Sequence, residues 1–184
     1  MTSYHEGSEK FSKHIWDKRS DLLLRVRLGV SYHRKRERFF DTLDKITKAI
    51  ALLGASSVLA SLAVGQSEVV VQVAIVLSST LALVLDWSNR ARDHSDLAVR
   101  YSQLDRDIAA AGEQDFTDQH LAQWEAKFCE IEAIEPPSLH GLIQICQDEF
   151  DMAAGKVVER ERLSIWRRFR AHFGFGSMPG PTQG

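Results

Sequence analysis

The chain has 184 residues, the length of one domain or of a small domain with appendages. Hydrophobic residues make up 44% of it and charged residues 26%, which excludes a disordered or collagen-like protein. The net charge of −2 gives no reason to expect nucleic acid as a partner. The two cysteines, Cys129 and Cys146, lack the spacing of a zinc site or of a disulfide framework.

Residues 1–45 are predicted to form a cytoplasmic, amphipathic N-terminal helical arm. From Phe11 to Val26 the apolar residues recur at helical spacing. From Leu24 to Val30 they also alternate, as they do in a strand. Helix is favoured, because the segment contains no proline and is rich in helix-forming residues.

Two stretches without Asp, Glu, Lys or Arg follow, Ala49–Ser67 with 19 residues and Val69–Leu85 with 17. A helix needs roughly 20 apolar residues to cross the hydrocarbon core, with a lower limit of about 17. A backbone in lipid must satisfy its own hydrogen bonds, which favours helices over strands. Residues 46–87 are therefore predicted to be a transmembrane hairpin with spans at about 47–65 and 69–87. The alternative is a buried hairpin inside a soluble helical bundle.

The basic residues predict the orientation of this hairpin. Twelve Lys and Arg precede the two charge-free stretches, none lies between them, and eleven follow them. Because basic residues collect in cytoplasmic segments, both termini are predicted to face the cytoplasm. Cys129 and Cys146 are then expected to be reduced.

Residues 88–158 are predicted to form a cytoplasmic helical bundle. Neither proline nor glycine occurs from Val69 to Ala111, so one continuous helix is expected to run from the membrane into the bundle. Two further helices follow, each with apolar residues along one side. Their predicted boundaries are Gly112 at the end of the first helix, Thr117 as the cap of the second, Pro136-Pro137 at its end, and Ser138 at the start of the third.

Aromatic residues of this bundle form a candidate contact between copies of the chain. Trp87, His94 and Tyr101 recur every seven residues, as in a coiled-coil seam. Trp124 and Phe128 share one side of the next helix. These five residues are the candidate oligomer seam of a predicted homo-oligomer.

Polar and small residues inside the hairpin are the candidate pore or helix-packing residues. Polar side chains in a bilayer are costly unless they meet each other or water. A water-lined path through an oligomer, with Asp86 at its cytoplasmic mouth, is one interpretation. Plain helix packing through small residues and hydroxyl groups is the other. The set is Gly54, Ser57 and Ser61 on one face of the first span, and Gln72, Ser79 and Asp86, seven residues apart, on one face of the second.

The C-terminal residues differ from the bundle in composition. Residues 159–173 are predicted to form a basic amphipathic helix, and residues 174–184 a disordered tail. Basic and aromatic residues together suit the anionic inner leaflet of a membrane. The alternative is an ordinary helix packed on the bundle. The candidate lipid-surface residues are Arg162, Trp166, Arg167, Arg168 and Phe169.

No motif of an enzyme is present in the sequence. There is no P-loop, no GxGxxG, no HExxH and no GxSxG. The seven histidines are scattered, and neighbouring carboxylates fall on different helix faces. The chain is therefore predicted to be non-enzymatic, with no catalytic, metal or cofactor site.

The order of elements and several short motifs resemble the SLATT family over about residues 10–155. SLATT proteins are two-transmembrane effectors associated with nucleotide-generating SMODS and ligand-sensing SLOG proteins in bacteria. The resemblance implies an all-α integral membrane protein of the bacterial inner membrane, acting in a conflict or antiphage system. The matching residues are Tyr32-His33-Arg34-Lys35-Arg36 before the hairpin, Tyr101 and Leu104 after it, and Ile131–Pro137 with the following segment Leu139–Phe150.

Two functions are open at this point. The first is an oligomeric pore-forming or membrane-disrupting effector, triggered by a separate sensor or nucleotide-signalling protein. The second is a membrane-anchored oligomeric scaffold that recruits a cytoplasmic partner and forms no pore. The lipid bilayer and further copies of the chain are expected partners in both.

Overall fold

The structure of the chain is a computed structural model. It describes residues 2–64, 73, 76, 77, 80, 84, 86–112 and 115–156, with the side chains of the first range described from 13 to 54. These residues form helices and their connections, and none of them belongs to a strand. The predicted all-helical fold is confirmed for this part of the chain.

Four helices have described bounds, and we number them in chain order. They are α1 (Thr2–Val64), α2 (Trp87–Ala110), α3 (Asp118–Ala133) and α4 (His140–Ala153). The chain divides into two compact units. The first unit consists of Met1–Arg34 and Asp96–Gly184, and the second unit of Lys35–Ser95.

The N-terminal arm forms a helix at residues 24–30, where the sequence pattern was also compatible with a strand. Leu22 and Val26, four residues apart, are fully buried, whereas Leu24 between them is 54% exposed. Burial at every fourth residue is the period of a helix, and a strand would bury every second residue. The alternation from Leu24 to Val30 therefore reflects composition, since charged and apolar residues happen to follow one another there.

The core of the first unit lies between α1, α2 and α3. The inward side predicted for α3 is confirmed, since its four large apolar residues Leu121, Trp124, Phe128 and Ile131 are buried. In α2 the buried residues also follow helical spacing. The core residues are Leu22 and Val26 of α1, Leu97, Tyr101, Leu104 and Ile108 of α2, and Leu121, Trp124, Phe128 and Ile131 of α3.

Helix α4 contributes a smaller apolar cluster to the same unit. Leu142 and Cys146 are buried, as the pattern predicted, and they pack with Tyr32 of α1. Ile145 is also buried in this cluster. The cluster attaches α4 to α1 through side chains that are far apart in sequence.

Two of the predicted helix boundaries are confirmed. Gly112 follows the end of α2 with φ +73°, a left-handed conformation that glycine adopts without steric cost. Thr117 is the N-cap of α3, and its hydroxyl accepts a hydrogen bond from the backbone N–H of His120.

Two other predicted boundaries are wrong. The expected continuous helix from Val69 to Ala111 is broken at Asp86, which has φ 45° and precedes the first residue of α2. Aspartate tolerates this region better than most residues, and here its carboxylate accepts a hydrogen bond of 2.7 Å from Asn89. Ser138 does not start α4, whose N-cap is Leu139 without a side-chain cap.

Most of the predicted transmembrane hairpin lies outside the described residues. Residues 65–72 and most positions from 74 to 85 are not described, and neither are the side chains of 55–64. Within what is described, no helix has the length and apolar character that crossing a membrane requires. The isolated positions Val73, Val76, Leu77 and Val84 are helical, and their side chains are exposed.

Replacement of Gly29 by alanine is expected to destabilise the fold. A Cβ at this position would lie 3.0 Å from Cε2 of Tyr101, whose ring is 2% exposed and is held by stacking on His33. Such overpacking costs about 1–3 kcal/mol, against a gain of about 1 kcal/mol in helix propensity. Thermal unfolding of the full chain, followed by circular dichroism, should give a lower Tm for Gly29→Ala.

The matched control is Ser20→Ala, because Ser20 is an exposed residue of the same helix. This variant should keep or slightly raise the Tm through helix propensity alone. A Tm for Gly29→Ala at or above that of the original chain would contradict the close approach of α1 and α2 at this point.

Candidate functional site

A cleft of about 160 Å³ opens in the first unit where α1, α2 and the segment after α3 meet. It is small compared with the roughly 300–1,000 Å³ of typical ligand pockets. Its walls combine aromatic, aliphatic and charged residues. They are Tyr32, Tyr101 and Phe128, then Leu28, Gly29 and Ile143, and finally Arg25, Glu132, Glu135 and Ser138.

The carboxylate of Glu135 lies at the inner end of this cleft. Its Oε2 accepts a hydrogen bond of 3.0 Å from the hydroxyl of Tyr101. Its Oε1 lies 3.3 Å from Nε2 of His33, which is fully buried. Glu135 directly precedes the two prolines, so α3 has ended and the chain runs extended when it reaches this position.

Three rings join α1 to α2 around this carboxylate. The His33 ring stacks on Tyr101 with centroids 5.6 Å apart, and its edge meets Tyr32 at 5.1 Å. The hydroxyl of Tyr32 accepts a hydrogen bond of 3.0 Å from the backbone N–H of Leu139. This contact ties the N-cap residue of α4 to α1. We call Tyr32, His33, Tyr101 and Glu135 the aromatic–carboxylate hub.

The hub changes the acidity of Tyr101. Burial raises the pKa of its phenol well above the usual 10, and the negative charge of Glu135 and the hydrogen bond to it act in the same direction. Tyr101 therefore stays protonated and remains a hydrogen-bond donor throughout the physiological range.

The outer end of the cleft carries opposite charges on aromatic walls. The guanidinium of Arg25 lies over the ring of Phe128, with 4.8 Å between Cζ and the ring centroid. Glu132 is exposed one turn before the hub carboxylate, and within the described residues it forms no ion pair. The lining thus holds two carboxylates and one guanidinium.

The second unit carries its own cluster of aromatic residues and paired charges. Phe40 stacks on both Trp87 and His94, with centroids 5.7 and 5.5 Å apart. Further along α1, Lys45 pairs with Asp41 and Lys48 with Asp44, each at 2.6 Å and one helical turn apart. From Ala49 to Gly54, the last described side chains of α1, the exposed residues are apolar.

The predicted oligomer seam consists mostly of residues buried within the chain. Tyr101, Trp124 and Phe128 belong to the core of the first unit, and His94 is 5% exposed in the second. Trp87 is half-buried against Phe40. These residues pack inside the chain, so a contact between copies would need other side chains.

The remaining predicted site residues are only partly described. Gly54 is half-buried and Asp86 is exposed. The side chains of Ser57, Ser61, Gln72 and Ser79 lie outside the described part of the chain, as do residues 157–184 with the five candidate lipid-surface residues. In the ranges that are described, no group of three His, Cys, Asp or Glu residues could hold a metal ion.

No motif in the sequence predicts a binding or catalytic role for Arg25, His33 or Glu135. Tyr32, His33 and the Glu135-Pro136-Pro137 motif were noted only as residues that resemble the SLATT family. The structure brings them together with Tyr101, which the sequence separates from Glu135 by 34 residues. The glutamate before two prolines was the sequence feature that could have pointed to this site.

Comparisons with protein families, with curated proteins and with solved structures give no match for this chain. Any statement about its function therefore depends on its own residues and on the resemblance described above.

Stability is expected to fall as the pH rises above 10, and Tyr101→Phe should remove part of that loss. The unfolded chain releases the Tyr101 proton near pH 10, whereas the folded chain retains it because the pKa is raised. Each pH unit above 10 then lowers the free energy of unfolding by about 1.4 kcal/mol, with no effect at pH values where both states are protonated.

Urea unfolding of both proteins at pH 9 and pH 11 measures this effect. Between the two pH values, the difference in free energy should shift by about 1.4 kcal/mol in favour of Tyr101→Phe. If the difference is the same at both pH values, Tyr101 does not keep its proton in the folded chain.

Proposed function

We propose that this chain is a bacterial membrane effector that inserts residues 46–87 into the inner membrane as a helical hairpin. In this proposal, several copies assemble and breach the bilayer when a separate sensor or nucleotide-signalling protein triggers them. The observation that carries it is the exposed apolar surface of the second unit, which continues into the charge-free stretches of the sequence.

The exposed apolar side chains of the second unit are large and close together in sequence. Leu52 and Leu53 are 71% and 72% exposed, and Val84 is 73% exposed. Full burial of such a side chain stabilises by about 1.5–3 kcal/mol, so water is an unfavourable environment for several of them at once. In the described part of the second unit, these side chains are Ile46, Ile50, Leu52, Leu53, Val73, Val76, Leu77 and Val84.

The first unit differs in this respect. Among its described side chains, the exposed large apolar residues are single positions spread over four helices and their ends: Trp16, Leu24, Val99, Ile134 and Met152. Isolated residues of this kind are normal on a protein surface in water. The contrast supports lipid as the environment of the apolar end of the second unit, and water as that of the first unit.

Charged residues border the apolar region on both sides. Lys45 and Lys48 are matched by Asp41 and Asp44 one turn earlier, so α1 approaches the apolar stretch with these charges paired. On the other side, Asp86 is the first charged residue and marks the turn into α2. Unpaired charge inside a bilayer is costly, and this arrangement keeps charge at the borders.

The step from insertion to a pore depends on the polar residues of the hairpin. Gln72 and Ser79 are seven residues apart and share one helix face by sequence. One hairpin has too few helices to enclose a channel, so a pore requires several copies. The resemblance to the SLATT family supports a membrane effector and a separate trigger.

The second candidate is a membrane-anchored scaffold, in which the hairpin only tethers the first unit. The separate core and the cleft of the first unit favour it, since a binding module needs both. A scaffold and a pore make opposite predictions about the polar residues of the hairpin.

Expression of the chain in bacteria is expected to collapse the membrane potential, read with a voltage-sensitive dye. The Gln72→Leu/Ser79→Leu variant should retain the potential, because its hairpin still inserts but lacks the polar groups that water needs. Val73→Leu/Val76→Leu is the matched control, since it changes two neighbouring apolar residues and should still collapse the potential.

Membrane fractionation of all three proteins must show equal insertion for the comparison to hold. If Gln72→Leu/Ser79→Leu also collapses the membrane potential, Gln72 and Ser79 do not line a pore. A retained potential with the original chain, even with its trigger present, would favour the scaffold.

A further inference from the structure

The cleft of the first unit is the size of one side chain. Its volume of about 160 Å³ is close to the roughly 150 Å³ of a cavity that holds a single benzene molecule. A nucleotide, which is several times larger, does not fit such a space. The cleft can hold one planar or compact functional group of a larger partner.

The charges of the lining select a cation. Among the described residues of the lining, Glu132 and Glu135 contribute two carboxylates and Arg25 one guanidinium. Glu135 already accepts a hydrogen bond from the hydroxyl of Tyr101 and faces His33, whereas Glu132 is exposed. Phosphate and carboxylate ligands would be repelled here, whereas a cation would gain carboxylate partners.

The aromatic walls favour a guanidinium among the cations. The faces of tyrosine and phenylalanine attract cations, and the planar guanidinium also stacks on them. Arg25 already shows this affinity inside the chain, because its guanidinium lies 4.8 Å from the centroid of Phe128. A guanidinium also binds a carboxylate through two parallel hydrogen bonds, which a lysine ammonium cannot do.

We propose that this cleft binds the guanidinium of an arginine side chain, with Glu132 as its carboxylate partner and the ring of Tyr32 as its aromatic wall, because Arg25 already covers Phe128. Glu135 and Tyr101, which are hydrogen-bonded to each other, line the same cleft. The inference does not depend on insertion into a membrane, since all of these residues belong to the first unit.

Two sources of the arginine share this chemistry. One is the chain itself, since Arg160, Arg162, Arg167, Arg168 and Arg170 follow α4 in sequence. The other is an arginine-containing segment of a separate protein. A first arm of the experiment tests the chemistry, and a second arm distinguishes the sources.

The first arm titrates the full chain with acetyl-arginine amide and follows the methyl resonances of Leu28 and Ile143 by NMR. These two residues line the cleft and are distant in sequence. Saturable shifts are expected at millimolar concentration, whereas acetyl-citrulline amide, which has the same shape without the charge, should cause none. Glu132→Gln should raise the Kd for acetyl-arginine amide about five- to tenfold.

The matched control is Glu130→Gln, because Glu130 is an exposed residue of the same helix that does not line the cleft. Its Kd should equal that of the original chain. Equal shifts with the citrulline compound, or a Kd that Glu132→Gln leaves unchanged, would overturn the proposal.

The second arm repeats the titration with the five arginines from Arg160 to Arg170 replaced by glutamine. If the chain supplies the arginine itself, the free protein shows shifted Leu28 and Ile143 resonances and binds acetyl-arginine amide more tightly. If a separate protein supplies it, the resonances and the Kd stay as they were. Absence of binding in both the original chain and this variant would overturn the proposal.

Discussion

The carboxylate of Glu135 is the constraint on which the arrangement of the first unit depends. It accepts a hydrogen bond of 3.0 Å from the hydroxyl of Tyr101 on α2, and its Oε1 lies 3.3 Å from Nε2 of His33 on α1. A buried hydroxyl without a partner costs about 1–3 kcal/mol, so Tyr101 needs this carboxylate where it is. One residue just after the end of α3 thereby contacts both of the other helices.

The position of α4 follows from the same segment. Four residues after Glu135, the backbone N–H of Leu139 donates to Tyr32, which lies next to His33 on α1. Tyr32 also packs against Leu142 and Cys146. The hub therefore orders the helix that follows it, and the cleft between its aromatic rings is a consequence of this geometry.

Local features of the fold could be predicted from the sequence, whereas contacts between distant residues could not. The faces of α1 and α3, the turn at Gly112 and the cap at Thr117 depend on residues within four positions of each other. Ser138 looked like a cap by the same rules. The start of α4 is instead tied down by a hydrogen bond from Leu139 to a tyrosine 107 residues away. The break at Asp86 was missed because the absence of glycine and proline was taken to mean a continuous helix, although aspartate favours caps and turns.

The candidate sites show the same division. Periodicity placed Tyr101 on one helix seam and Trp124 and Phe128 on a face of the next helix, both as candidate contacts between copies, whereas in the structure the three residues pack in the core of the same chain. The two stretches without charged residues, by contrast, were enough to predict the apolar end of the second unit. The pairing of Arg25 with Phe128 depends on how α1 and α3 pack, which no local pattern records.

The depth of residue 53 in a bilayer tests the central claim most directly. A nitroxide placed at Leu53→Cys in a Cys129→Ser background, with Cys146 fully buried and therefore unreactive, can be studied in liposomes by electron paramagnetic resonance. Position 53 lies about 7 Å along the helix beyond Lys48, so its collisions should be mainly with oxygen. A label at Ser20→Cys should collide mainly with an aqueous nickel chelate. Equal nickel accessibility at both positions would contradict insertion of the hairpin.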